Sequence, residues 1–169
     1  VFSKVGMEPS GDPFNSIMKL ETDDTKKPCN PMINAGAIVT TSLIKGDSLK
    51  QKEERMLAFF RKLAKNDTLE INQDVYESEK FTGDRNRAMA YLLKNDGIIE
   101  GNVEETLDLY FKQCSIEVTV KDLARIGLLF ANYGIDIETG ERVISENISR
   151  MVKTFMVTCG MYDASGEFA

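Results

Sequence analysis

Two serine–lysine pairs have the spacing with which a lysine can activate a serine nucleophile. None of the 169 residues is histidine, so the chain alone can form no Ser-His-Asp triad, Cys-His dyad or histidine-ligated zinc site. The remaining arrangement is S-x-x-K, which occurs at Ser16–Lys19 and at Ser42–Lys45. Because serine and lysine are both frequent here, roughly one such match is expected by chance. We therefore interpret both pairs as structural.

Glu79 and Asn86 could together bind a small ligand. They flank the turn Gly83-Asp84-Arg85 and would present one acid and one amide from a loop. The same residues are typical of a solvated helix end with Asp84 as its N-cap. From the residue pattern alone, this second interpretation is favoured.

Three more polar residues are candidates for a binding site. Tyr110 falls on the apolar face of a predicted helix, which favours a core tyrosine whose buried hydroxyl still needs a partner. Asn34 stands among small and apolar residues near a helix start, which favours a core amide, with close approach of a ligand as the alternative. Tyr162 follows the helix-ending Gly160 in an aperiodic segment, and loop tyrosines can be site residues.

The composition excludes several classes of function. Lys and Arg total 21 against 27 Asp and Glu, giving a net charge of −6, and an acidic chain without a basic cluster binds nucleic acid poorly. No apolar run reaches the roughly 18 residues of a membrane span. The chain has three cysteines, Cys29, Cys114 and Cys159. Their odd number and wide spacing predict neither a disulfide framework nor a metal site. Reduced cysteines favour a reducing, intracellular compartment.

Helical periodicity covers most of the chain, so the predicted fold class is mainly α. Helix starts are predicted at five N-cap residues, namely Asn30, Ser48 (in a capping box with Gln51), Asn102, Thr119 and Ser145. A short helix is expected over residues 73–80, a small hairpin over 135–144 and the beginning of a strand over 165–169. Residues 1–29 are polar and irregular and predict a long loop. A missing initiator methionine and the interrupted last strand lead us to expect a chain cut at both ends.

Five segments resemble the metazoan kidney-type and liver-type glutaminases. They are VGMEPSG at 5–11, NPMINAGAI at 30–38, GDRN at 83–86, YFKQCSIEV at 110–118 and CGMYD at 159–163. Each segment alone is a weak indication of this family. Five segments in the same order, and with nearly the spacing found in the family, are a specific one. The resemblance implies an internal fragment of a serine-dependent catalytic domain, with an α+β fold similar to class A β-lactamases and penicillin-binding proteins. Residues 1–29 would be a gating region, 30–160 the helical subdomain and 161–169 the return to the sheet.

The resemblance also implies an active site. Asn34, Glu79, Asn86 and Tyr110 match substrate contacts of the family, and Tyr162 matches its catalytic tyrosine, which also contacts substrate. A carboxylate such as Glu79 suits the ammonium group of L-glutamine, and amides and phenols suit its carboxylate. The parent protein would hydrolyse L-glutamine to L-glutamate and ammonia through a glutamyl-serine intermediate, without a metal or organic cofactor. The nucleophilic Ser-x-x-Lys would lie before residue 1, so this chain alone would be inactive.

Further properties follow from the same resemblance. Residues 11–27 would gate the site, inorganic phosphate would be an activator, and the protein would self-associate to dimers or tetramers in mitochondria, with no nucleic-acid or membrane partner. Two alternatives stay open. One is a non-catalytic helical protein-interaction module. The other is a penicillin-type acyl hydrolase of the same fold, against which Glu79 argues because an acid suits an ammonium better than a penicillin carboxylate.

Overall fold

The protein is built from helices connected by turns and short loops. The computed structural model describes residues 1–167, and within them the only β pairings are two isolated antiparallel bridges, Ile71 with Ile116 and Ile135 with Arg142. The helices are α1 (Met18–Thr22), α2 (Asn34–Ser42), α3 (Leu49–Ala64), α4 (Gln73–Thr82), α5 (Asp84–Asn95), α6 (Val103–Cys114), α7 (Val120–Ala131) and α8 (Glu146–Cys159), followed by a 3-10 turn at Tyr162–Ala164. The predicted mainly α fold class is therefore confirmed.

Helix α6 is the centre of the packing. Helices α2, α3, α4 and α5 all contact it, and the main core lies where α2, α5 and α6 meet. The core side chains there are almost completely removed from solvent; they include Ile38, Val39, Met89, Leu93, Leu107 and Phe111. Burial of apolar surface at this junction fixes the relative positions of the helices. No helix among residues 1–167 combines the length and the apolar character needed to cross a membrane.

Local capping signals predict most helix starts correctly. The side chains of Asn102 and Ser145 accept backbone N–H groups at the starts of α6 and α8, and Thr119 forms a complete capping box with Asp122 at α7. The box predicted at α3 is only half formed. Ser48 accepts the N–H of Gln51, but the Gln51 side chain accepts from Asp47 instead of Ser48.

The predicted start of α2 at Asn30 is wrong. The Asn30 side chain is completely buried; its Oδ1 accepts the N–H groups of Met32 and Ile33 at 2.9 and 3.3 Å, and its Nδ2 donates to the carbonyl of Glu8 at 2.9 Å. These bonds close a turn before the helix, so α2 begins only at Asn34.

Three other predictions change. The irregular loop predicted for residues 1–29 contains the short helix α1, which buries Leu20 in the core. The hairpin predicted over 135–144 is reduced to one bridge, and the Asp136 side chain accepts two N–H groups of the turn that follows it. Residues 165–167 form a turn and not a strand; residues 168 and 169 of that predicted strand lie outside the described residues.

Candidate active site

Asn34 and Asn86 are hydrogen-bonded across the helical core. Asn34 is the first residue of α2, and Asn86 lies in the first turn of α5. The Nδ2 of Asn34 donates to the Oδ1 of Asn86 at 3.1 Å, although 52 positions separate them in sequence. Both side chains are half-buried. The Oδ1 of Asn34 and the Nδ2 of Asn86 take no hydrogen-bond partner among residues 1–167, so one acceptor and one donor are available to a ligand.

The start of α2 is held in place by the backbone around it. The N–H of Asn34 donates to the carbonyl of Phe14 at 2.9 Å. Gly36 packs so tightly on the preceding chain that an added Cβ would lie 1.8 Å from the carbonyl oxygen of Asn30. A larger residue would push α2 outward, so glycine at this position keeps Asn34 within reach of Asn86.

Glu79, Tyr110 and Cys114 form a second group between α4 and α6. Tyr110 is buried, and the thiol of Cys114 lies near it, one turn later on α6. Burial raises the pKa of Tyr110 far above its ordinary value, and the nearby Cys114 and the negative charge of Glu79 act in the same direction. Burial and Glu79 likewise raise the pKa of Cys114. Tyr110 therefore stays a neutral hydroxyl at physiological pH, beside a half-buried carboxylate.

Tyr162 lies just after α8 in an unusual backbone conformation. Its φ is 55°, in the left-handed region that bulky residues rarely adopt. Its half-buried ring packs against the ring of Phe14, with 5.3 Å between centroids. Residues held in such strained backbone regions cluster at functional sites.

The structure thus brings four of the five predicted residues into two groups on the helices that pack around α6. Asn34 and Asn86 form one group, and Glu79 and Tyr110 belong to the other with Cys114. The fifth residue, Tyr162, is connected to Asn34 through Phe14. Within residues 1–167 no direct hydrogen bond joins the two groups, and their relative position is set by the packing of α2, α4 and α5 on α6. One carboxylate, one neutral phenol donor and one amide pair are the chemistry that an amino acid with both of its charges requires.

Neither S-x-x-K pair is arranged for catalysis. The hydroxyl of Ser42 donates to the carbonyl of Val39 in its own helix at 2.6 Å. Ser16 donates to the carboxylate of Asp12 at 3.4 Å, while Lys19 donates to the carbonyl of Ser10. No hydrogen bond joins either serine to its lysine in the part of the chain that the structure describes. This geometry agrees with the structural interpretation of both pairs.

A small cavity of about 30 Å³ is lined by residues of α3, of α7 and of the turn at 136–138, and contains none of the five candidate residues. Among residues 1–167, no group of three or more His, Cys, Asp or Glu side chains is placed to hold a metal ion.

Comparison with known proteins decides the family. The glutaminase family model matches residues 1–169. The chain belongs to the glutaminase family. It is 79% identical to a glutaminase of Clostridioides difficile (strain 630) over 169 residues, which are 100% of this chain and 55% of that protein. A probable glutaminase of Bacillus subtilis has a crystal structure with a TM-score of 0.96 and 43% identity, covering 99% of this chain and 54% of that one. The structure of Mglu in its glutamate form has a TM-score of 0.90 and 37% identity, covering 99% of this chain and 38% of that one.

These glutaminase relatives limit what the resemblance implies. The chain spans about half the length of the curated relatives that it matches. The glutaminases of Clostridioides difficile and Bacillus subtilis are bacterial proteins. The metazoan subgroup and the mitochondrial location implied by the resemblance therefore find no support in them.

Two residues at the candidate site of this glutaminase-family chain are missed by sequence reasoning. Cys114 is four residues after Tyr110 on a predicted helix, so the i, i+4 spacing could have identified it as a neighbour. Phe14 contacts both Asn34 and Tyr162. No local signal could have identified Phe14, because both of its partners are distant in sequence.

Proposed function

We propose that the protein containing this chain hydrolyses L-glutamine to L-glutamate and ammonia, with Asn34, Glu79, Asn86, Tyr110 and Tyr162 as part of its site. The observation that carries the proposal is the arrangement of one carboxylate, one neutral phenol and an amide pair around α6. Membership of the glutaminase family supports it. Further support comes from Mglu, which has been solved in its glutamate form, because glutamate is the product proposed here.

The two groups of side chains have complementary tasks in binding glutamine. Glu79 accepts hydrogen bonds from the α-ammonium group, because a carboxylate is the natural partner of an ammonium in a partly desolvated site. The Tyr110 hydroxyl and the Nδ2 of Asn86 donate to the α-carboxylate, and Asn34 orients Asn86 through their mutual bond. Neutral donors hold a carboxylate without repelling the ammonium next to it.

The reaction requires a serine and a base from outside these 169 residues. The serine oxygen attacks the side-chain carboxamide carbon, and its proton passes to a lysine directly or through Tyr162. The C–N bond then breaks, the nitrogen takes up a proton, and ammonia leaves a glutamyl-serine ester. Water attacks this ester and releases glutamate and the free serine. No step requires a metal or an organic cofactor.

We propose that residues 11–27 gate the site, from the family resemblance and from the contacts of Phe14 and Asn15. Support for gating by residues 11–27 comes from Phe14, which packs on Tyr162 and accepts the N–H of Asn34, and from Asn15, whose carbonyl accepts from Arg85 at 3.1 Å. Movement of this segment would alter contacts with three elements of the site. Activation by inorganic phosphate and self-association to dimers or tetramers remain predictions.

Replacing Glu79 by glutamine tests the binding role. In the full-length protein, Glu79→Gln should lower kcat/KM for glutamine, because the ammonium loses its charged partner. The decrease should correspond to a loss of about 2 to 4 kcal/mol of transition-state stabilisation. For glutaramate, which is glutamine without its ammonium group, kcat/KM should change by less than about threefold. Steady-state ammonia release on both substrates measures the difference.

Glu77→Gln is the matched control for this experiment. Glu77 is on the same helix, is exposed, and accepts only from the side chain of Gln73 at 3.2 Å. This variant should retain the kinetics of the unaltered protein on both substrates. If Glu79→Gln reduced activity on glutaramate as much as on glutamine, the proposed role of Glu79 would be wrong.

A further inference from the structure

A network of charged side chains joins α3, α4 and α6 beside the candidate site. Asp108 of α6 is at its centre; its Oδ1 accepts from Lys80 at 2.7 Å and from the hydroxyl of Tyr76, both on α4. Its Oδ2 pairs with Lys112 at 2.9 Å, and Lys112 also pairs with Glu53 of α3 at 2.8 Å. Only 14% of the Asp108 side chain and 20% of the Lys112 side chain are exposed, so water screens this pair weakly. The Lys80 side chain is 51% exposed, so its pair with Asp108 is screened more strongly.

The charge of Asp108 is maintained by these partners. Burial alone would raise the pKa of this carboxyl, but the hydrogen bonds from Lys80, Tyr76 and Lys112 outweigh it and lower the pKa to about 2. The ammonium groups of Lys80 and Lys112 lie 5.2 and 5.5 Å from the centre of the Tyr76 ring, which adds cation–π attraction. Asp108 is therefore ionised throughout the physiological pH range.

Helix α4 packs on α6 along its length and at its C-terminal end. Gly83, which directly follows the last residue of α4, packs so closely on the Phe111 ring of α6 that an added Cβ would lie 2.5 Å from it. Tyr76 and Lys80 of α4 bind Asp108. Glu79 comes three residues after Tyr76, so helical geometry places it on the same face of α4 as Tyr76, and its negative charge contributes to the raised pKa of Tyr110.

We propose that Asp108 is a positioning residue for Glu79. Among residues 1–167, the side-chain hydrogen bonds between α4 and α6 all end on Asp108. These bonds from Tyr76 and Lys80 fix the rotation of α4 about its own axis and keep the carboxylate of Glu79 directed at the substrate ammonium. The inference rests on the proposed function, since it assigns Asp108 a task in glutamine binding.

Removing the charge of Asp108 tests the inference. In the full-length protein, Asp108→Asn keeps the size of the side chain but weakens its hold on Lys80 and Lys112. We expect kcat/KM for glutamine to fall about tenfold, mainly through a higher KM, since small misplacements of binding groups have effects of this order or larger. Activity on glutaramate should change less than about twofold, because that substrate lacks the ammonium that Glu79 binds.

Asp136→Asn is the matched control for Asp108→Asn. Asp136 is equally buried, with 11% of its side chain exposed, and pairs with Lys65 at 2.8 Å. Hydrogen bonds from Lys65 and from the N–H of Thr139 lower the pKa of Asp136 to about 2. It lies beside α3 and α7, and none of its hydrogen bonds within residues 1–167 reaches α4. The control variant should lose thermal stability as Asp108→Asn does, with the ratio of activities on glutamine and glutaramate unchanged.

The outcomes separate the inference from the proposed function. A selective loss on glutamine in Asp108→Asn supports the inference, whereas equal losses on both substrates would overturn it and leave the proposed function standing. Failure of the unaltered full-length protein to hydrolyse glutamine would overturn both. If Asp108→Asn does not fold, Tyr76→Phe provides the same test, because it removes only the hydroxyl that binds Asp108.

Discussion

The purified 169-residue chain should release ammonia from glutamine no faster than buffer does. It contains no histidine, and the hydroxyls of Ser16 and Ser42 are bonded to Asp12 and Val39 instead of to a lysine. Removing the nucleophile and base from a serine hydrolase costs a factor on the order of a million in kcat. Substrate contacts alone cannot restore that loss, because binding without a reacting group does not lower the barrier.

The assay for this prediction is ammonia release at high chain concentration, with the full-length protein as the positive control. The account would be contradicted if the chain released ammonia from glutamine and if Ser42→Ala or Ser16→Ala abolished this release. Such a result would show that one of the two pairs is the catalytic serine and lysine after all.

Tyr162→Phe in the full-length protein should lower kcat by about a hundredfold or more while KM changes little. Proton transfer by a positioned side chain contributes about 10² to 10⁴ in rate, and phenylalanine retains the ring packing on Phe14 but has no proton to transfer. The separate kcat and KM values from steady-state kinetics test this assignment.

Tyr133→Phe is the control for Tyr162→Phe. Tyr133 is also a tyrosine in the left-handed region, with a φ of 54°, and its ring contacts the cationic side chains of Arg150 and Lys153. Its hydroxyl has no part in the proposed reaction, so both kinetic constants should stay within about twofold of the unaltered values. A change in KM alone for Tyr162→Phe would make Tyr162 a binding residue only.

Sequence reasoning succeeds here where the determining interactions are local. The caps at Asn102, Thr119 and Ser145 bind N–H groups two or three residues away, so the helix starts could be predicted from short patterns. It fails at α1 and at the start of α2 because tertiary contacts decide both. Leu20 is held by the core, and Asn30 is held by the distant carbonyl of Glu8.

The candidate site shows the same division. Residue patterns alone favour a core or solvated interpretation for Asn34, Glu79, Asn86 and Tyr110, and only the family resemblance selects them together. The pairing of Asn34 with Asn86 and the approach of Glu79 to Tyr110 depend on how α2, α4 and α5 pack on α6. No local periodicity contains that information, and the same holds for the contact between Phe14 and Tyr162.

Glutamine-dependent ammonia release by the full-length protein, with and without inorganic phosphate, tests the central claim most directly. The account predicts equimolar ammonia and glutamate, without added metal or cofactor, under at least one of the two phosphate conditions. Folded full-length protein that released no ammonia from glutamine in either condition would contradict the claim.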